Sequence, residues 1–307
     1  MGMLDRNQIA RFHKNGYLVV ENFNSPDLVE PAKARFEPLF HGEFETGVQP
    51  DEWNWREGSS PEDHTRQICN GWKSDRAIAR LVLNRKVGQA CARLMGWPGT
   101  RINQDNVIWK PPGARPLGFH QDDAYQDWIE PPSLVSCWMA MDDTSEEGGT
   151  IEYARKSNHW PVERKKFTFH APEDYLEGLR FSANRMGVTN CKIDRLCLRS
   201  GDVVFHHGRT WHGSGENSTL KPRRSVVAHC MSSDARFHPF RTNPVYSRYK
   251  PYGSTAMAES YFPVIYSETG YRSEFLEELL RPVPPANGQE EIPSGHPRGS
   301  DSGNRPA

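Results

Sequence analysis

The distance along the chain between His120-Gln121-Asp122 and His212 is what most limits how this protein can fold. In extended backbone, side chains alternate between faces, so His120 and Asp122 project together while Gln121 turns away. A third partner so far along the sequence must arrive on a separate strand. The apolar, β-branched run Asp202-Val203-Val204-Phe205 reads as a strand leading towards His212. Any fold that uses the three together therefore sets strands from remote parts of the chain side by side.

The remaining pattern agrees. Residues 102–110, 116–119, 134–142, 150–154, 194–199, 202–206 and 223–231 read as short strands separated by Gly, Pro and Asp turns. That rhythm predicts a mainly β protein with flanking helices, built on a double-stranded β-helix (jelly-roll, cupin-like) core over 102–232. Asp5 to Gln8 opens an amphipathic helix that Gly16 ends, and a strand over 17–21 follows. Further helices are expected over 25–40, with Ser25 as a cap, and over 75–95. Between them, residues 41–72 are polar, irregular and Trp-rich, the profile of a functional segment. Residues 160–193 read as an insertion with a helix near 172–179. Its basic residues Arg164, Lys165 and Lys166, with Arg155 and Lys156, face either water or an anionic substrate handle. Residues 240–281 are aromatic-rich, suiting a lid over the barrel mouth or packing against the N-terminal helices, and end in a helix over 273–280. The chain to residue 282 reads as one domain, and the Pro-, Gly- and Ser-rich 283–307 as disordered.

Two imidazoles and one carboxylate on one side of an ion leave its other positions open, the arrangement of non-haem Fe(II) oxygenase centres. A lone His-x-Asp pair is common and usually binds no metal. Arg223 is what raises it. Residues 211–218 are rich in Gly, Asn and Ser and run into the strand-like Arg223-Arg224-Ser225-Val226-Val227-Ala228, which predicts His212 and Arg223 on neighbouring antiparallel strands. A guanidinium grips a carboxylate through two parallel hydrogen bonds and keeps its charge at any working pH. Beside a metal it points to a dicarboxylic 2-oxo acid. A cupin-like metalloenzyme or metal-binding protein that needs no 2-oxo acid remains the alternative, and it leaves Arg223 unexplained.

These residues resemble the phytanoyl-CoA dioxygenase (PhyH-like) group of Fe(II)/2-oxoglutarate-dependent oxygenases, over roughly 5–280 of the sequence. The resemblance implies that His120, Asp122 and His212 hold Fe(II) as the catalytic centre, and that Arg223, assisted by Ser214, holds the distal carboxylate of 2-oxoglutarate. It places Trp138 in the cosubstrate pocket, Gln121 between the ligands, and Gln104 and Asn106 at further cosubstrate contacts. It also implies O2 as cosubstrate, succinate and CO2 as coproducts, and hydroxylation of an unactivated C–H bond, with desaturation, cyclisation or epimerisation as other outcomes. Where many members carry Pro-Gly-Ser-His, this chain has Gly148-Gly149-Thr150 leading to Ser157-Asn158-His159. Halogenating relatives lack the carboxylate ligand, so Asp122 argues against halogenation.

Trp53, Trp72, Asp123, Tyr125 and His207 are candidate substrate contacts, and His207 is also a competitor of His212 for the metal. His170, His206 and His229 are expected to pack or hydrogen-bond. With 38 Lys and Arg against 39 Asp and Glu, no global field favours nucleic acid or an anionic membrane. No apolar run approaches the ~20 residues that span a bilayer, nor does the start resemble a signal sequence, so a cytoplasmic protein acting on a small molecule is expected. Six cysteines without C-x-x-C spacing fit reduced thiols, with Cys137 and Cys230 filling core space.

Overall fold

The computed structural model describes residues 4–280. Its larger sheet orders the strands Tyr17–Val20, Val203–His207, Val135–Ala140, Arg223–Ser232, Gly99–Lys110, Arg66–Cys69 and Glu52–Trp53, and Val264–Ser267 pairs with Gly99–Lys110 as the eighth. The smaller sheet orders Leu117–His120, His212–Ser214, Ile151–Ala154 and Ile193–Arg195. Neighbours in both are antiparallel, and Ile108, Trp138, Val204 and Val227 of the larger sheet meet Leu117, Ile151 and Tyr153 of the smaller in one buried cluster. The two sheets thus face each other, as the strand rhythm predicts for a jelly roll.

Strand alternation sends the other set of side chains to the outer face of the larger sheet. There Val135, Cys137, Met139, Val203, Phe205, Val226, Ala228 and Cys230 pack with Phe12, Val29, Phe36, Ile78, Leu81 and Leu94 of the helices. Burial on both faces is why Val135–Ala140 is buried along its whole length and is apolar at every position but Ser136.

The first helix, Arg6–Asn15, begins at a reciprocal capping box between Asp5 and Gln8 and ends at Gly16, whose φ of 90° suits glycine. The helix expected over 25–40 is broken into Pro26–Ala34 and Phe36–Phe40, and Ser25 makes no side-chain cap. Pro38 has no N–H to offer the Ala34 carbonyl and its ring crowds that oxygen, while Arg35 N–H turns back to the Ala32 carbonyl at 3.1 Å. The helix expected over 75–95 is likewise two, Arg76–Val82 and Arg85–Met95. Asn84 is extended and its side chain caps the second through Lys86 N–H.

Residues 41–72 are less irregular than their composition suggests, because Glu52–Trp53 and Arg66–Cys69 pair and extend the larger sheet. In the insertion the helix falls at Glu177–Arg185, later than expected, and the following strand Ile193–Arg195 joins the smaller sheet. Three of the five basic residues contact the fold and Lys156 and Lys166 are exposed: Arg155 makes two 2.7 Å bonds to Asp194, Arg164 donates to the carbonyls of Asp123 and Ala124, and Lys165 lies over Phe181. Near the C-terminus Tyr246 and Phe262 pack with Trp128 and Phe237, and the final helical piece is only Leu276–Leu279. The disorder expected for 283–307 lies outside the described residues. Among the described residues no helix is long and apolar enough to cross a membrane.

Candidate active site

His120 ends its strand and Asp122 opens a 3-10 turn, Asp122–Tyr125, with Gln121 still extended between them at φ −118° and ψ 129°. The alternation that places the pair together therefore survives the end of the strand. His212 lies directly opposite His120 in the smaller sheet. One donor atom from each of His120, Asp122 and His212 comes within 4.8 Å of the others. The Nε2 atoms of His120 and His212 stand 3.5 and 3.6 Å from Asp122 Oδ1. Those gaps exceed a hydrogen bond, and they are close to the roughly 3–3.5 Å that separates two donors each about 2.1 Å from a shared ion.

The surroundings fix each donor. His120 Nδ1 lies 3.0 Å from the Gly118 carbonyl and His212 Nδ1 2.9 Å from the Thr210 carbonyl. A carbonyl only accepts, so both Nδ1 atoms carry the proton and both Nε2 lone pairs face the shared point. Burial holds His212 well below the usual imidazole range, hence neutral as a metal ligand must be. Asp122 is 6% exposed. Burial opposes its charge, but the imidazoles facing it, His212 and His229 first and then His120 and the hydrogen-bonded His206, hold its carboxyl well below the ordinary carboxylate range. Its second oxygen, Oδ2, accepts from Ser136 Oγ at 2.6 Å and lies 3.1 Å from His206 Nε2. Ser136 Oγ also meets His229 Nδ1 at 2.7 Å, and His229 Nε2 meets the Asn106 amide at 3.0 Å. The donor set, its tautomers and its charge fit a divalent iron ion.

Arg223, 3% exposed, reaches the same interior. Its guanidinium donates to the Gly149 carbonyl at 3.0 and 3.2 Å, to Ser225 Oγ at 3.1 Å and to Ser214 Oγ at 3.3 Å, and lies 5.7 Å from the centre of the Trp138 ring. Gly149, at φ 65°, forms the turn that aims that carbonyl. None of these partners is a carboxylate, and burial pulls the guanidinium down to about 10, so a buried cation faces the cavity without an anion. A cavity of 440 Å³ runs from Arg223 past the His-Asp-His cluster to residues 243–246.

His212 and Arg223 are not on neighbouring strands. His212–Ser214 belongs to the smaller sheet and Arg223–Ser232 to the larger. Residues 215–222 cross from one sheet to the other rather than making a hairpin, pinned by the Asn217 amide on the carbonyls of Lys110, Pro111 and Lys221. The two side chains line the same cavity from different sheets instead.

Gln104, Asn106, Trp138, Ser214 and Tyr125 line the cavity, whereas Gln121 does not. Its amide donates to the Arg209 carbonyl at 2.7 Å and accepts from Glu163 N–H at 2.8 Å, tying down the start of the insertion. Trp53, Trp72, Asp123 and His207 also lie away from the cavity, each for a local reason. Trp53 alternates to the core face between Glu52 and Asn54, which do line the cavity, and Trp72 is buried against Phe275. Asp123 accepts from Leu134 N–H at 2.8 Å. His207 points to Phe12, one residue after His206, which takes the cavity side. Glu52, Gln67, Cys69, Gln126, His170 and 243–246 line the cavity without any motif that marks them.

The sequence profile of the family described as phytanoyl-CoA dioxygenase (PhyH) matches residues 12–225, most of the chain, including His120, Asp122, His212 and Arg223. The chain belongs to the phytanoyl-CoA dioxygenase family. It is accordingly an iron- and 2-oxoglutarate-dependent dioxygenase. The peroxisomal phytanoyl-CoA dioxygenase of Rattus norvegicus is 25% identical over 76% of this chain and 70% of its own length. Among solved structures, the non-heme alpha ketoglutarate dependent carbocyclase SnoK from nogalamycin biosynthesis is 22% identical, covers 86% of this chain and 97% of its own, and superposes with a TM-score of 0.67. EctD from S. alaskensis with 2-oxoglutarate and 5-hydroxyectoine is also 22% identical, over 78% of this chain and 80% of its own, at a TM-score of 0.60. These structures share the jelly-roll fold with the family member described here.

Proposed function

We propose that His120, Asp122 and His212 ligate the Fe(II), that Arg223 with Ser214 binds the distal carboxylate of 2-oxoglutarate beside Trp138, and that the enzyme hydroxylates an unactivated C–H bond of a small molecule in the cavity. The observation that carries this reading is the pairing of two Nε2 atoms and one carboxylate oxygen, all turned to one point, with a buried guanidinium on the same cavity that lacks an anion. Iron and 2-oxoglutarate, when bound, supply with O2 the oxidising power to break a C–H bond, leaving succinate and CO2.

The chain's own residues do the rest. The carbonyls of Gly118 and Thr210 keep the Nδ1 protons and so leave Nε2 free to bind metal. Ser136 and His206 hold Asp122 Oδ2, which stops the carboxylate from turning its bound oxygen away. Tyr153 in turn orients His206 through its hydroxyl, 2.9 Å from Nδ1. Ser214 and the Gly149 carbonyl aim Arg223, and Leu117, Ile108, Ile151 and Val227 keep water from that end of the cavity. The six free cysteines, four of them buried, suit a reducing compartment, and we place the reaction in the cytoplasm.

Anaerobic titration with Fe(II), with and without 2-oxoglutarate, tests the reading through the weak visible charge-transfer band of the chelate. The band is expected only when both are present. Its absence would reject the assignment. For a turned-over substrate, a product heavier by one oxygen marks hydroxylation, a product lighter by two hydrogens marks desaturation or cyclisation, and a product of unchanged mass but altered retention marks epimerisation.

A further inference from the structure

The cavity has two ends of different chemistry. Arg223 is the only Lys or Arg among the described residues that line it, and it sits at the end enclosed by Trp138, Ile108, Ile151 and Val227. Among the described residues, no Lys or Arg lines the other end. It is walled by Glu52, Gln67, Gln104 and Tyr246. Strand pairing explains the grouping: Glu52 lies opposite Cys69, Cys69 opposite Asn106 and Gln67 opposite Ile108, so alternation carries one set of side chains from three strands onto the cavity face.

Tyr246 closes this end from the C-terminal segment. It is 3% exposed, its ring stacks on Trp128 with centroids 5.2 Å apart, and its hydroxyl is buried with no hydrogen-bond partner among the described residues. A buried phenol without a partner is uncommon, because the unmade bond costs stability that a phenylalanine would not. Burial pushes its ionisation well above the ordinary phenol range, and Cys69, Glu52, Asp51 and Asp105 add to the shift, so it remains a neutral O–H. Asn106 is already committed to His229 and Cys69. The Gln104 amide makes no hydrogen bond among the described residues and is free for a ligand.

We infer that this outer end binds a substrate head that carries hydrogen-bond donors and no negative charge, an ammonium or a hydroxyl, held by Tyr246, Glu52 and Gln104. A phosphate, carboxylate or coenzyme A conjugate would meet the Glu52 carboxylate there and no cation to neutralise it. The inference rests on the proposed use of Arg223 for 2-oxoglutarate, which removes the cavity's one guanidinium from service to the substrate.

The test is ligand-observed NMR on the full chain loaded with Zn(II) and 2-oxoglutarate, using small ammonium compounds, polyols, carboxylates, phosphates and coenzyme A thioesters as probes. Ammonium or hydroxyl compounds are expected to bind preferentially. Tyr246→Phe, which deletes only the unpartnered oxygen, should weaken them about tenfold. Glu52→Gln should weaken ammonium compounds by at least as much and polyols less, which separates the two kinds of head. For any probe that is turned over, Tyr246→Phe should raise KM more than it lowers kcat. Preferential binding of anions, no binding by any donor-bearing probe, or equal binding before and after Tyr246→Phe would overturn the inference. Slow substrate-independent succinate release by the Fe(II) enzyme reports the proposed chemistry separately. If that release is seen while anions bind best, only the substrate class is wrong.

Discussion

The two ends of the cavity differ in how their polar groups are spent. At the inner end the groups that shape the metal-binding cluster are already held by the fold: the Nδ1 atoms by carbonyls, Asp122 Oδ2 by Ser136 and His206, and the Arg223 guanidinium by Gly149, Ser214 and Ser225, with the two Nε2 atoms, Asp122 Oδ1 and the guanidinium's unneutralised charge left open. At the outer end a buried hydroxyl and an amide are left open. Fixed hydrogen bonds preorganise chemistry that does not vary, whereas unpaired groups are what a particular substrate satisfies. Reaction type is therefore written into the inner end and substrate choice into the outer one.

Removing a ligand should break the comparison most severely. Asp122→Ala is expected to abolish substrate-dependent succinate formation and Fe(II) binding, measured by coupled succinate assay and by metal content after gel filtration. Wild-type turnover in that variant would contradict the inner end's role. Next in size, Arg223→Ala should raise the KM for 2-oxoglutarate by roughly 10- to 150-fold while leaving Fe(II) affinity within a few-fold, because it removes a charge-assisted contact worth about 1.5–3 kcal/mol. Arg223→Lys should recover little of this, since an ammonium cannot make the paired bonds. Ser136→Ala, which frees one side of Asp122 Oδ2, should weaken Fe(II) by roughly 10-fold, towards the lower end of effects seen for residues that support a ligand. Asp5→Ala serves as the remote control. It removes the cap of the first helix and should lower stability by about 1 kcal/mol in urea denaturation, with KM values unchanged.

The inner end was readable because its information is local. His120 and Asp122 sit two residues apart, and extended backbone at Gln121 suffices to join them. Arg223 announces itself as a charged residue at the head of an apolar strand. The principal strands and the jelly roll followed from period-two patterning and turn residues. The path from His212 to Arg223 did not, because a three-residue strand and a turn-rich link look the same whether they form a hairpin or cross between sheets. The outer end was legible only as a region. Residues 52–72 do supply the cavity, but Glu52 and Cys69 face it rather than Trp53 and Trp72, and His206 faces it rather than His207. A strand's composition does not say which of its two faces is the inner one when both are buried. Tyr246 lies far along the chain from Glu52, Gln67 and Gln104, and no spacing links them.

The central claim is that one ion is shared by His120 Nε2, His212 Nε2 and Asp122 Oδ1, with the 2-oxoglutarate carboxylate on Arg223. An anaerobic crystal structure with Fe(II) and 2-oxoglutarate tests it most directly. The ion is expected among those three atoms, with the distal carboxylate paired to the Arg223 guanidinium. An ion held through His206 or His229 instead, or a carboxylate bound elsewhere with Arg223 still unpaired, would contradict the account.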